Sequence, residues 1–116
     1  MIEIVDADLS LPLHIHAILS LLNDYALDLM GGQEALSDFV KSNLITELRQ
    51  RQSAHVILSF ISGNPAGLLI SFEGFSTFAC KPLLNIHDVV VAQKYRGRGI
   101  SRKLLNRAEE VAKRIG

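Results

Sequence analysis

Residues 89–102 read Val-Val-Val-Ala-Gln-Lys-Tyr-Arg-Gly-Arg-Gly-Ile-Ser-Arg. A β-branched run feeds a short loop with two glycines, and an amphipathic run follows. The first turn of a helix leaves its backbone N–H groups unpaired, and with the helix dipole they attract anions. Gly97 and Gly99 allow a ligand to approach the backbone with no Cβ in the way. Arg96, Arg98 and Arg102 add fixed positive charge suited to phosphate. The stretch therefore predicts a strand–loop–helix phosphate site. Two familiar phosphate motifs are absent: no Gly-Lys-Ser/Thr closes the loop, and Gly97-x-Gly99 is followed by Arg102 rather than a third glycine.

The elements that would position this loop follow from periodicity. Residues 1–5 alternate as a short strand. Residues 6–10 form a turn, and Pro12 fits the first turn of a helix, where an N–H is not needed. Ile15, Ile18, Leu19, Leu22, Ala26 and Leu29 fall at helical spacing, with Gly31 and Gly32 as the stop. Residues 34–51 predict a second helix with a stripe of Leu36, Val40, Leu44, Ile45 and Leu48. The period then changes to two: Val56, Leu58 and Phe60 alternate with His55, Ile57 and Ser59. Ser62-Gly63-Asn64-Pro65 is a hairpin turn by composition. Residues 66–73 and 83–91 read as strands separated by a loop over 74–82. Residues 99–115 predict the last helix, with Ile100, Leu104, Leu105, Ala108, Val111, Ala112 and Ile115 apolar. The order is β-α-α-β-β-β-α, which predicts an α+β fold in which helices cover a mainly antiparallel sheet.

Bulk properties bound the rest. At 116 residues, 48% hydrophobic and 21% charged, the chain predicts one globular domain with its own core. No apolar run approaches the roughly 18 residues of a membrane span. The first residues are acidic where a signal peptide is basic. Cys80 is the one cysteine and has no partner within the chain. These features lead to an expectation of a cytoplasmic protein with no membrane association. The net charge of zero is asymmetric. Residues 94–116 hold eight Lys and Arg against two acids, a net of +6, and residues 1–93 carry the balancing −6. Nucleic acid is not the expected partner, because the basic residues gather around the glycine loop rather than along an outer helix face.

Arg96-Gly97-Arg98-Gly99-Ile100-Ser101 resembles the Arg/Gln-x-x-Gly-x-Gly/Ala signature of the GNAT N-acetyltransferase family. It matches at Arg96 and Gly99. Ser101 stands where the signature has Gly or Ala, and serine is small enough to keep the approach close. Tyr95, the apolar strand before it and the element order are also similar to that family. The resemblance spans the whole chain, with its specific signal in residues 86–105.

The resemblance implies a three-layer α/β/α fold with a mixed, mainly antiparallel sheet. It implies acetyl-CoA as cosubstrate, no metal, and a small-molecule or protein amine as acceptor. Val89, Val90 and Val91 would pair with the pantetheine arm. Arg96, Gly97, Arg98, Gly99, Ile100, Ser101 and Arg102 would hold the pyrophosphate. His87 and Asp88 stand at the height where the family places a proton acceptor. Simple alternation puts them on opposite strand faces, with His87 on that of Val89 and Val91, and imidazole suits a base near neutral pH. Glu73 is a weaker candidate. The acidic remainder of the chain favours a cationic acceptor.

The family continues beyond this point with a further strand, helix and strand, and that helix carries a Tyr acid; Tyr25 and Tyr95 are not at its position. Residues 1–116 are therefore expected to be a single GNAT domain lacking its C-terminal β-α-β. An open edge beside Val89 to Val91 would invite a homodimer or strand exchange. A noncatalytic CoA-binding or assembly module is the alternative function. Of the remaining polar residues, His14 and His16 do not share a helix face and predict no metal site. Cys80 reads as a small filler, and His55 as an exposed strand residue.

Overall fold

The computed structural model describes residues 1–28 and 32–116. The elements are β1 (Ile2–Asp6), α1 (Pro12–Leu27), α2 (Asp38–Gln50), β2 (Ala54–Ile61), β3 (Asn64–Ser76), β4 (Lys81–Val91) and α3 (Ile100–Ile115), with a 3-10 turn at Gln93–Tyr95 before α3. The sheet order is β1-β2-β3-β4. Every pairing is antiparallel, so among the described residues the sheet is not mixed.

Alternation along β2 and β3 creates two cores. Val56, Leu58, Phe60, Leu68 and Ile70 face α1 and α2, where Ala17, Ile18, Leu21 and Leu48 cover them. Ile57, Ile61 and Leu69 face α3, where Ile100, Leu104 and Ala108 pack. The result is the expected three-layer arrangement. β2 and the first half of β3 are buried on both faces, so they read as continuous apolar runs.

Local chemistry sets the boundaries. Pro12 opens α1 as expected. The helix closes at Leu27, where the N–H of Asp28 bonds the Tyr25 carbonyl. The expected positions of Leu29 and Gly31 lie outside the described residues. The buried face of α1 is set by Ala17, Ile18 and Leu21, with Leu19, Leu22 and Ala26 only partly covered. α2 begins four residues later than its apolar pattern, because the Ser37 hydroxyl accepts the Val40 N–H at 3.2 Å and caps the helix there. The segment before it is tied to α1 by Leu36 N–H donating to the Asn23 side chain at 2.9 Å. The β3–β4 hairpin is longer than its hydrophobic pattern, with Gly74, Phe75 and Ser76 paired to Leu83, Pro82 and Lys81. Backbone pairing carries this extension out of the core, leaving Phe75 and Phe78 exposed. Cys80 is exposed in its turn rather than filling space.

Two contacts fix α3. Gly67 pairs with Val91 in the sheet. A Cβ on Gly67 would lie 2.8 Å from Ile100 Cγ2 and 3.0 Å from Leu104 Cδ1. The helix can rest on β3 only because residue 67 has no side chain. At the far end of β1, the Arg107 guanidinium grips Asp6, Nε to Oδ1 at 2.9 Å and Nη2 to Oδ2 at 2.6 Å.

Both contacts generate expectations. Gly67→Ala pushes a methyl into a β-branched helix residue that has one preferred rotamer. It is expected to destabilise the fold by about 1–3 kcal/mol, read by urea denaturation; an unchanged midpoint would mean α3 does not sit where described. The hydrogen bonds from Arg107 hold the Asp6 carboxyl below its ordinary value. A depressed folded pKa contributes stability above the unfolded value of about 3.9, and loses it as pH falls through the folded pKa. The pair is half exposed, so its worth is about 0.5–1 kcal/mol. Asp6→Asn should lower stability by that amount at pH 7, and the difference from wild type should close as pH falls through the lowered folded pKa of Asp6. A difference that persists undiminished in acid would assign it to packing.

Candidate active site at the end of the fourth strand

The C-terminal end of β4, the loop and the first turn of α3 enclose a cleft of about 380 Å³ lined by Tyr25, Val89, Val90, Val91, Arg96, Gly97, Gly99, Ile100 and Ser101. Eight of these nine residues come from residues 89–101. The predicted strand–loop–helix thus forms one concave surface. Gly97 and Gly99 have φ of +84° and +75°, in the left-handed region, and nothing lies within 4 Å of where a Cβ would stand. The positive φ, not crowding, is what selects glycine there. Gly99 is the N-cap of α3, and no side chain caps the helix. The first helical bond among these residues is Lys103 N–H to Gly99 O at 3.2 Å. The N–H groups of Ile100, Ser101 and Arg102 precede it and are available to an anion.

The arginines divide. Arg96 lines the cleft, but its Nη2 donates to Asp28 Oδ2 at 2.8 Å and its Nε to the Val91 carbonyl at 3.4 Å. Its charge is matched, and it ties the end of α1 to the end of β4. Arg98 and Arg102 do not line the cleft; they are exposed at its rim. Arg98 and Lys94 lie 5.4 and 5.1 Å from the centroid of the buried Tyr95 ring, favourable cation–π distances. Among the described residues, Lys94, Arg98, Arg102 and Lys103 have no carboxylate in ion-pair range.

A β-bulge changes the geometry of His87 and Asp88. Asp88 pairs with Ile70 and Ile86 with Ser71, so His87 is an extra residue with no cross-strand partner. Val89 and Val91 pair with Leu69 and Gly67 on the α3 face, whereas Asp88 and Val90 pair with Ile70 and Leu68 on the α1/α2 face. The His87 ring meets Phe72 edge-on at 4.9 Å, and Phe72 packs against the α1/α2 core. His87 therefore lies with Asp88, not with Val89 and Val91 as alternation predicts. The bulge shifts the phase by one residue and brings both candidates to the same face. Glu73 is on the other face, beside Ser71, with its Oε2 3.0 Å from His55 Nε2. That contact also corrects the reading of His55 as an exposed strand residue; it is half-buried and paired.

Sequence reasoning misses two residues here. Tyr25 reaches the cleft from α1, and Asp28 engages Arg96. Tyr25 stands at i+7 from Ile18, so its helical spacing already placed it on the buried stripe. What the spacing could not supply is that this end of α1 lies beside β4. A second cleft, of about 480 Å³, shares Tyr25, Val90, Val91 and Arg96 with the first and is lined also by Asp24, Asp28 and Gln93. A cleft of about 660 Å³ lies between β1 and α3 and holds none of the predicted site residues. His14 accepts the Asp8 N–H at 2.8 Å and packs near Phe60. No group of three or more His, Cys, Asp or Glu among the described residues could hold a metal. No helix among them is long and apolar enough to cross a membrane.

Solved structures with the same architecture include a ribosomal-protein-alanine N-acetyltransferase from Brucella melitensis biovar Abortus 2308. It has a TM-score of 0.76 and 19% identity, over 99% of this chain and 74% of that one. A possible acetyltransferase from Clostridium difficile 630 has a TM-score of 0.77 and 19% identity, over 96% and 70%. An aminoglycoside acetyltransferase from an uncultured soil metagenomic sample has a TM-score of 0.78 and 17% identity, over 97% and 70%. At these identities the likeness is one of fold. No curated protein matches the sequence. The profile of the acetyltransferase (GNAT) family matches residues 16–116, nearly the whole chain and all of the cleft described above, and on that ground the chain belongs to the GNAT acetyltransferase family.

Proposed function

We propose that the protein transfers an acetyl group from acetyl-CoA to a primary amine. The observation that carries this reading is the cleft itself. Helix N–H groups without acceptors and two glycines in the left-handed region stand at the end of an edge strand, which suits a diphosphate joined to an extended arm. Val89, Val90 and Val91 would offer the arm their backbone along the outer edge of β4. The N–H groups from Gly97 to Arg102 would hold the pyrophosphate, with Ser101 small enough to allow contact. Arg98 and Arg102 would act from the rim, and Arg96 would brace the loop.

The amine nitrogen would attack the thioester carbonyl carbon. A C–N bond forms, the C–S bond breaks, and the sulfur leaves as thiolate. His87 and Asp88 are the groups proposed to take the ammonium proton, and their shared face supports considering them together. A small cationic acceptor is favoured by the acidic composition of residues 1–93. A second reading, a noncatalytic CoA-binding or assembly module, draws on the outer edge of β4, which has no partner strand among the described residues and could pair with another chain.

Calorimetric titration with acetyl-CoA should give saturable binding that desulfo-CoA shares and that ATP, which lacks the pantetheine arm, shows only much more weakly. A branched residue at the φ of Gly99 costs on the order of 1–2 kcal/mol, so Gly99→Val should weaken binding about tenfold. Equal affinity in the variant, or no binding by wild type, would count against the cleft as the coenzyme site. With an accepted amine found by screening, loss of the base should lower kcat/KM by about 10²–10⁴ without changing acetyl-CoA affinity. Comparing His87→Ala with Asp88→Asn assigns the role, and two fully active variants would remove both from it. Binding without turnover of any amine would favour the module.

A further inference from the structure

Among the described residues, Tyr25 is the one that lines the 380 Å³ cleft without belonging to residues 89–101. Its ring is partly buried and packs against the α1/α2 core. Its hydroxyl makes no hydrogen bond among the described residues and is not sealed from solvent, so it is able to donate to a ligand in the cleft. The start of α3 lines the same cleft with Ile100 and Ser101, whose N–H groups also lack acceptors among the described residues. Both α1 and α3 therefore bring donors to the cleft. A ligand that satisfies them is rich in acceptor oxygens and has none of its own protons to spend there. Arg96 is held aside by Asp28 and Val91, so it leaves the α1 wall without a second free donor at this point.

We propose that the Tyr25 hydroxyl donates a hydrogen bond to the diphosphate of the bound coenzyme, closing the anion site from the α1 side. The inference rests on the reading of this cleft as the acetyl-CoA site. It assigns Tyr25 a binding role and not that of the acid for the departing thiolate. The hydroxyl has no bond to lose among the described residues, so Tyr25→Phe keeps the ring's packing and should melt at the wild-type temperature.

The test compares acetyl-CoA, ADP and S-acetylpantetheine on wild type and Tyr25→Phe by calorimetry, alongside kcat. One hydrogen bond to a charged acceptor corresponds to about a tenfold change in affinity. Acetyl-CoA and ADP should each bind about tenfold more weakly to the variant, and S-acetylpantetheine, which has no diphosphate, should bind both proteins equally. Equal affinity of both proteins for acetyl-CoA and ADP would overturn the inference while leaving the coenzyme reading intact. A fall in kcat at unchanged affinity would overturn it in favour of a role at the thiolate. Failure of wild type to bind any of the three would overturn the reading of the cleft together with the inference.

Discussion

The close approach of α3 to β3 at Gly67 is the constraint from which the site geometry follows. Only a residue without a side chain admits Ile100 and Leu104 to the sheet surface at this level. Gly67 is also the register partner of Val91, and the next bond, Ala92 N–H to Ala66 O at 2.8 Å, carries the same ladder one step further. The end of β4 and the start of α3 are therefore anchored to the same two residues of β3. The loop between them has little freedom, and its glycines adopt left-handed φ within a span that both anchors hold fixed. The Asp6–Arg107 pair does for the middle of α3 what Gly67 does for its start, through charge instead of close packing.

The layer order was legible because it depends on periodicity, and the two buried strands and the helix after the glycine loop carry strong periodic signals. The glycine loop before α3 was legible as a structure because its requirements are local: glycine where φ is positive, and N–H groups at a helix start. The phase of His87 was not legible. A bulge adds one residue to one strand with no mark in composition, and every face assignment on the early side of it reverses. The hairpin extension past Gly74 was hidden for a related reason: backbone pairing there needs no hydrophobic alternation. The start of α2 was displaced by a cap, and Ser37 is a polar residue of the kind that periodicity counts ignore.

Contacts between distant segments were the least legible. Arg96 reads in sequence as one more phosphate-directed cation. In the fold it spans to Asp28, 68 positions away, and becomes a brace between α1 and the loop. The same proximity brings Tyr25 to the cleft. Each follows from the direction α1 takes across the sheet, which arises from packing Ala17, Ile18 and Leu21 against β2 and β3 and from nothing in the local sequence of either partner.

The four cations around the start of α3 have a thermodynamic consequence. Cations are disfavoured beside the positive end of a helix dipole, and Arg102 and Lys103 lie in the first turn with Arg98 and Lys94 just before it. Like charges gathered there without carboxylates oppose formation of that turn. An anion seated among them removes the repulsion only in the folded chain, because the unfolded chain does not hold the charges together. Such a ligand acts as a folding cofactor through linkage: at one hundred times its dissociation constant it raises stability by about 2.7 kcal/mol. Cellular lifetime of the protein would then follow the supply of that anion, with the loaded chain withdrawn from the pool open to proteolysis.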